Sequence, residues 1–147
     1  DIDYSNILHF HFHGKKRCVL FAPDQTPYLY KVPHALISRE DIDFDAPDFN
    51  QWPALEKAQG LVTDLQHGEM LYMPEGYWHY MKYVTPGFSM SLRAFPRRLG
   101  NLSKAAYNVF IMRYFDNLMR RWKGQKWIDY KNEQAIINTN KNIQKAA

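Results

Sequence analysis

Residues 68–81, GEMLYMPEGYWHYM, decide how this chain reads. Gly68 opens an apolar run that Pro74 closes, Gly76 permits a reversal, and His79 follows three residues later on what resumes as extended chain. A proline cannot donate to a sheet ladder and a glycine tolerates positive φ, so the segment predicts strand, tight turn, strand. The geometry puts His79 at the end of a strand, near the mouth of a β-structure, where an imidazole can offer a ring nitrogen to a metal.

Outward from this segment the same grammar repeats. Upstream, ILHFHFH (7–13) alternates with a period of two, setting Leu8, Phe10 and Phe12 on one face and Ile7, His9, His11 and His13 on the other. Gly14 turns the chain into a second strand, RCVLF (17–21), and the two predict a hairpin. Residues 61–65 and 70–73 read as further short strands, 77–84 as another, and FSMSLRAF (88–95) alternates once more. Short strands punctuated this densely by Gly and Pro indicate a sandwich or barrel.

Between residues 26 and 55 the pattern breaks. Four prolines and the acids Glu40, Asp41, Asp43, Asp45 and Asp48 mark a long surface excursion, expected to be pinned to the barrel by Phe44, Phe49 and Trp52. Loops of this length often serve as lids or partner surfaces. After Pro96 the period becomes helical. Asn101 or Ser103 can cap a helix carrying Phe110, Ile111, Tyr114, Phe115, Leu118 and Trp122, Gly124 stops it, and a second helix is expected from about Lys126. The expected division is a β-portion, 1–96, followed by a helical region, 97–147.

Composition sets the class. The 147 residues suffice for one domain, no apolar run is long enough to cross a bilayer, and the chain carries a net charge of +4. A single cysteine, Cys18, in an apolar strand pattern reads as core, and with no secretory leader pattern at residue 1 the expected compartment is a reducing cytoplasm. From Arg97 onward there are eleven Lys/Arg against three Asp/Glu, while the body before it is acidic. Nucleic acid is not the favoured partner, because no recognised binding motif accompanies the basic tail. Two amphipathic helices need something to cover their apolar stripes, and a homodimer through them is the expectation.

The spacing glycine, five residues, Pro-x-Gly, two residues, His resembles the second conserved motif of the cupins. Together, DIDYSNILHFHFHGKKRCVLFAP (1–23) and GEMLYMPEGYWHYMKYV (68–84) resemble the JmjC-like cupins. That group includes the asparaginyl hydroxylase of hypoxia-inducible factor and a tRNA wybutosine hydroxylase. The resemblance implies a double-stranded β-helix followed by the helices, and an Fe(II)/2-oxoglutarate-dependent oxygenase that hydroxylates a protein or other macromolecule. It implies iron held by a His-x-Asp pair and a distant His, which is His79 here. Aligned on Gly14, the family aspartate falls on Asp3, the lysine for the 2-oxoglutarate end carboxylate on Lys16, and the first histidine on Asp1. Two readings stay open. Either Asp1 replaces that histidine in an Asp-Ile-Asp site, or Asp1 is the family aspartate and its histidine lies two residues earlier. Arg93, fourteen residues after His79, competes with Lys16 for the carboxylate, and Tyr72, Ser89 and Ser91 offer hydroxyls. Two other functions remain: an inactive cupin-like interaction module, and a metallocupin that uses His9, His11 and His79 without 2-oxoglutarate.

Overall fold

The computed structural model describes residues 1–145 and divides them into two compact units. The first comprises Asp1–Pro23 and Gln59–Leu102, and the second comprises Asp24–Ala58 and the chain from Ser103 on.

The first unit is built from six strands: β1 (Asn6–His13), β2 (Lys16–Phe21), β3 (Gly60–Leu65), β4 (Met70–Met73), β5 (Trp78–Tyr83) and β6 (Phe88–Ala94). They form two antiparallel three-stranded sheets, ordered β4-β1-β6 and β3-β2-β5. The expected β1–β2 hairpin is therefore corrected, because the turn at Gly14 carries the chain from one sheet to the other. Both edges of β1 are taken by β4 and β6, and both edges of β2 by β3 and β5, which leaves neither strand an edge for its sequence neighbour. The crossing depends on close backbone approach. Gly14 has φ +84°, and a Cβ there would lie 2.5 Å from the Pro86 carbonyl oxygen. Ile7 and Met73 from one sheet pack with Leu20 from the other, and Leu71, Tyr77 and Met81 surround them. Cys18 is buried core, as expected, with its Sγ 3.4 Å from Met81 Sδ.

In the second unit the helices follow the sequence closely, with a refinement of their number. α1 (Leu99–Tyr107), a π-turn (Asn108–Met112) and α2 (Arg113–Lys123) run on as helix, starting two residues before the anticipated cap. Gly124, at φ +58°, breaks the chain, and α3 (Gln125–Lys145) follows. Among the described residues no helix is long and apolar enough to cross a membrane.

The excursion packs with α2 and α3. The His34 ring lies stacked on Trp127 and edge-on to Phe115, and Arg39 donates from Nη1 to the Asn132 carbonyl. Trp52 is buried against Tyr30 and beneath the Arg39 guanidinium, so its recorded ring contacts lie within the excursion, and Phe49 is exposed instead of pinned. At the centre of this unit Lys131, 2% exposed, donates to Asp116 Oδ1 at 2.6 Å. Trp127 Nε1 and Arg120 Nε complete the shell of that carboxylate at 2.8 and 2.9 Å.

Burial alone would raise the Asp116 carboxyl, but its hydrogen bonds from Lys131 and Trp127 and the charge of Lys131 hold it below the ordinary carboxylate value. A depressed folded-state value contributes stability above the unfolded pKa and loses it as pH falls through the folded one. Asp116→Ala, which strands a buried ammonium, is expected to cost about 3–5 kcal/mol in urea unfolding. The loss should shrink as the wild type is itself acidified below about pH 4.

Candidate functional site

The site is built where residues 1–3 run antiparallel to the start of β5. Asp1 N and His79 O lie 2.9 Å apart, His79 N donates to Asp1 O at 2.8 Å, Ile2 bridges Trp78, and Gly76 N donates to Asp3 O. This pairing sets the Asp1 carboxylate beside the His79 ring, with Oδ1 2.9 Å from Nε2. Burial, the largest cause, lowers the His79 imidazole to about 4. At neutral pH the contact is thus a hydrogen bond from a neutral ring, the form that ligates metal, and not an ion pair. The other ring nitrogen, Nδ1, is buried without a partner.

Asp3 goes elsewhere. Its carboxylate accepts from the Ser5 backbone N–H and lies 3.1 Å from Arg93 Nε. The structure sets the Asp1 carboxylate against His79, and the charge of Asp3 acts on the same ring. Counting back from Gly14 places the family aspartate on Asp3, across a stretch that is not regular. The register of β1 against β6 shifts between His11 and His13, and the chain leaves its pairing with β5 before entering β1 in the other sheet.

Further along the inner face the apolar contacts give way to polar ones. His9 and Ser91 are register partners, and so are His11 and Ser89, each pair joined by an Nδ1···Oγ contact of 2.8 Å. The second nitrogen of His11 lies 2.9 Å from the Gly14 carbonyl oxygen, to which it donates. Lys16 reaches in from the opposite sheet, its Nζ 3.1 Å from His9 Nε2 and 4.4 Å from the centroid of the Tyr83 ring. Lys16 and His9 are each 5% exposed. Among the described residues no carboxylate pairs with Lys16. An ammonium this buried, facing a neutral ring, carries a desolvation cost that nothing in its surroundings offsets with opposite charge.

The remaining sequence candidates differ in their surroundings. Arg93 is 61% exposed on its pairing with Asp3, so Lys16 is the buried cation of the two. Tyr72 is register partner of Leu8, on the face opposite His9, and its hydroxyl donates to Asn6 Oδ1. A site of three histidines is not built, since among the described residues no three His, Cys, Asp or Glu side chains converge to hold a metal. His9 and His11 instead engage serines. One residue and one contact are not evident from the sequence. Tyr83 is register partner of Lys16, donates to Ser89 Oγ at 3.4 Å, and has its phenol lowered by that bond and by Lys16. The His9–Lys16 contact had a partial signal in the alternation of 7–13, which set His9 on the face of Ile7, but its partner lies across a sheet boundary.

Two sheets, a Pro-x-Gly turn delivering a histidine to a carboxylate, and an inward lysine define a JmjC-type cupin-like domain. The sequence pattern of the cupin-like domain family matches residues 2–121, and the chain belongs to that family. It is 35% identical over 86 residues to human HSPB1-associated protein 1, covering 56% of this chain and 18% of that protein. Chicken tRNA wybutosine-synthesizing protein 5 is 33% identical over 86 residues, covering 58% of this chain and 26% of that protein. Jumonji C domain-containing protein 5 of Drosophila melanogaster is 38% identical over 81 residues, covering 53% and 20%. The matches thus span between about a fifth and a quarter of these relatives' lengths.

The donor set fits a metal in part. Asp1 and His79 offer a carboxylate and an imidazole, two of the donor types in the two-histidine, one-carboxylate triad that non-haem iron takes. If Lys16 is held for a ligand at the expense of the fold, Lys16→Met in ligand-free protein should raise stability to urea by about 1–2 kcal/mol. A midpoint lowered by that substitution would show that the ammonium stabilises the core on its own.

Proposed function

We propose that this domain is the catalytic part of an Fe(II)/2-oxoglutarate-dependent oxygenase that hydroxylates a macromolecular substrate in a reducing cytoplasm. The observation that carries this reading is the buried Lys16 ammonium without a carboxylate partner, on the same inner face of the sheets as the Asp1–His79 pair. The two sheets are read as the walls of a double-stranded β-helix, with the site at its open end.

Asp1 and His79 would hold the metal, with the first family histidine expected two residues ahead of Asp1. When bound, iron with 2-oxoglutarate supplies activation of oxygen for insertion into a C–H bond. The chain's own residues do the rest. His79 stays neutral because it is buried, which keeps a nitrogen lone pair free for the metal at physiological pH. Lys16 pairs with the end carboxylate of 2-oxoglutarate, a charge-assisted contact in a place that excludes water. Leu20, Ile7 and Met81 form an apolar wall that keeps bulk water from the ligand. Arg93, tied to Asp3, orders residues 1–3 against β5.

An interaction module without activity is the second reading. It is favoured by the absence, among the described residues, of a third converging ligand, and by relatives named for association with HSPB1. In either case the helices are proposed to pair two copies. Phe110 and Trp122 are each 77% exposed, and Tyr114 and Leu118 are exposed beside them, an apolar stripe of the kind buried in homodimers.

Incubated with Fe(II), ascorbate and 2-oxoglutarate, the full-length protein is expected to bind iron and release succinate. Asp1→Ala or His79→Ala should lower turnover at least a hundredfold while leaving the melting temperature within a few degrees. Neither metal uptake nor succinate under any substrate mixture would leave the interaction module standing. Phe110→Glu with Trp122→Glu is expected to halve the mass seen by light scattering, whereas a monomeric wild type would remove the dimer.

A further inference from the structure

We propose that His9 is a positioning residue for the Lys16 carboxylate site, holding the ammonium in place through Nε2 without neutralising it, and so reserving its charge for a dicarboxylate ligand. The inference rests on the reading of Lys16 as the ligand's carboxylate partner and extends it to a residue with no assigned role.

The chemistry of the contact fixes the direction of each bond. An ammonium has only protons to give, so at 3.1 Å His9 Nε2 must be the acceptor. A neutral imidazole that accepts at Nε2 carries its proton on Nδ1, which therefore donates to Ser91 Oγ at 2.8 Å. The ammonium thus sets the tautomer, and Ser91, held opposite His9 in the β1–β6 ladder, accepts the Nδ1 proton and holds the ring in place. His11 takes no part, since Ser89 and the Gly14 carbonyl occupy both of its nitrogens. The Tyr83 ring face covers another side of the ammonium. One N–H is spent on His9 and the cation lies over an aromatic face, which leaves donor capacity and a full positive charge for an incoming anion.

The alternatives at this position would behave differently. Glutamate would pair with Lys16 and cancel its charge. Leucine would fill the space but let a four-carbon side chain swing among its rotamers, at a cost in entropy on binding. Burial, followed by the charge of Lys16, lowers the imidazole to about 4, consistent with a ring that stays neutral beside the lysine.

The test measures affinity in the full-length protein for two probes. The first is 2-oxoglutarate with Mn(II), and the second is glutarate in EDTA, which has the same end carboxylates but needs no metal. His9→Gln, which keeps a neutral acceptor, should bind both within about threefold of wild type. His9→Leu should bind both about tenfold more weakly, a loss of about 1.4 kcal/mol. His9→Glu should lose binding as completely as Lys16→Met while melting at or above the wild-type temperature, an outcome that a merely structural histidine would not give. If Lys16→Met loses binding while His9→Leu and His9→Glu bind as wild type, the positioning role is overturned and the Lys16 assignment survives. If Lys16→Met binds both probes as tightly as wild type, or wild type binds neither, the carboxylate site itself is overturned and the role of His9 falls with it.

Discussion

A buried ammonium facing a neutral imidazole is the constraint around which the site is organised. Lys16 enters from β2, His9 from β1, and the two strands belong to different sheets, so their contact exists only when the sheets face each other in register. The rest of the inner face is arranged to tolerate this charge. Serines stand opposite histidines along β1 and β6, which gives each buried ring a hydrogen bond where an orphaned nitrogen would be costly. The apolar contacts of Ile7, Leu20 and Met73 are displaced toward the end where His79 sits. The β4-β1-β6 sheet is consequently polar on much of its inner face, and carries Leu8, Tyr72, Met90 and Leu92 outward as exposed residues.

The chain contains a second buried lysine, and the contrast is informative. Lys131 is as enclosed as Lys16, but Asp116 meets it at 2.6 Å and is itself satisfied by Trp127 and Arg120. That carboxylate is the counter-charge of the buried Lys131 and of the half-exposed Arg120, and the packing of the excursion on α2 and α3 surrounds it. Such a network is a structural element: removing either partner is costly, and nothing is left over for a ligand. Lys16 has a neutral acceptor and an aromatic face instead. The same residue type, equally buried, serves stability in one unit and is left uncompensated in the other.

Much of this was legible in the sequence because the features are local. The Pro74–Gly76 turn, the alternation of 7–13 and 88–95, and the stop at Gly124 are properties of short segments, and the elements fall where those segments place them. Pairing is not local. The turn at Gly14 reads as a hairpin and the Pro74–Gly76 turn as a tight reversal, yet β1 to β2, β3 to β4, β4 to β5 and β5 to β6 all change sheets. Period-two alternation reports which residues share a face but carries no information about which strand lies alongside.

The aspartate illustrates the same limit at the scale of one site. A count from Gly14 to the family position assumes an unbroken strand, and gives Asp3. The chain between passes from one sheet to the other and is irregular between His11 and His13. What fixes the register is the edge of β5, where two backbone contacts tie residue 1 to residue 79 and bring carboxylate and imidazole together. The Pro-x-Gly turn supplies that edge by delivering His79 at the start of β5, and Gly76 donates to Asp3 to hold the facing segment. The Asp1–His79 contact is thus a consequence of strand pairing first and of residue spacing second. The distance between motifs in sequence predicts the site only as far as the strands between them stay regular.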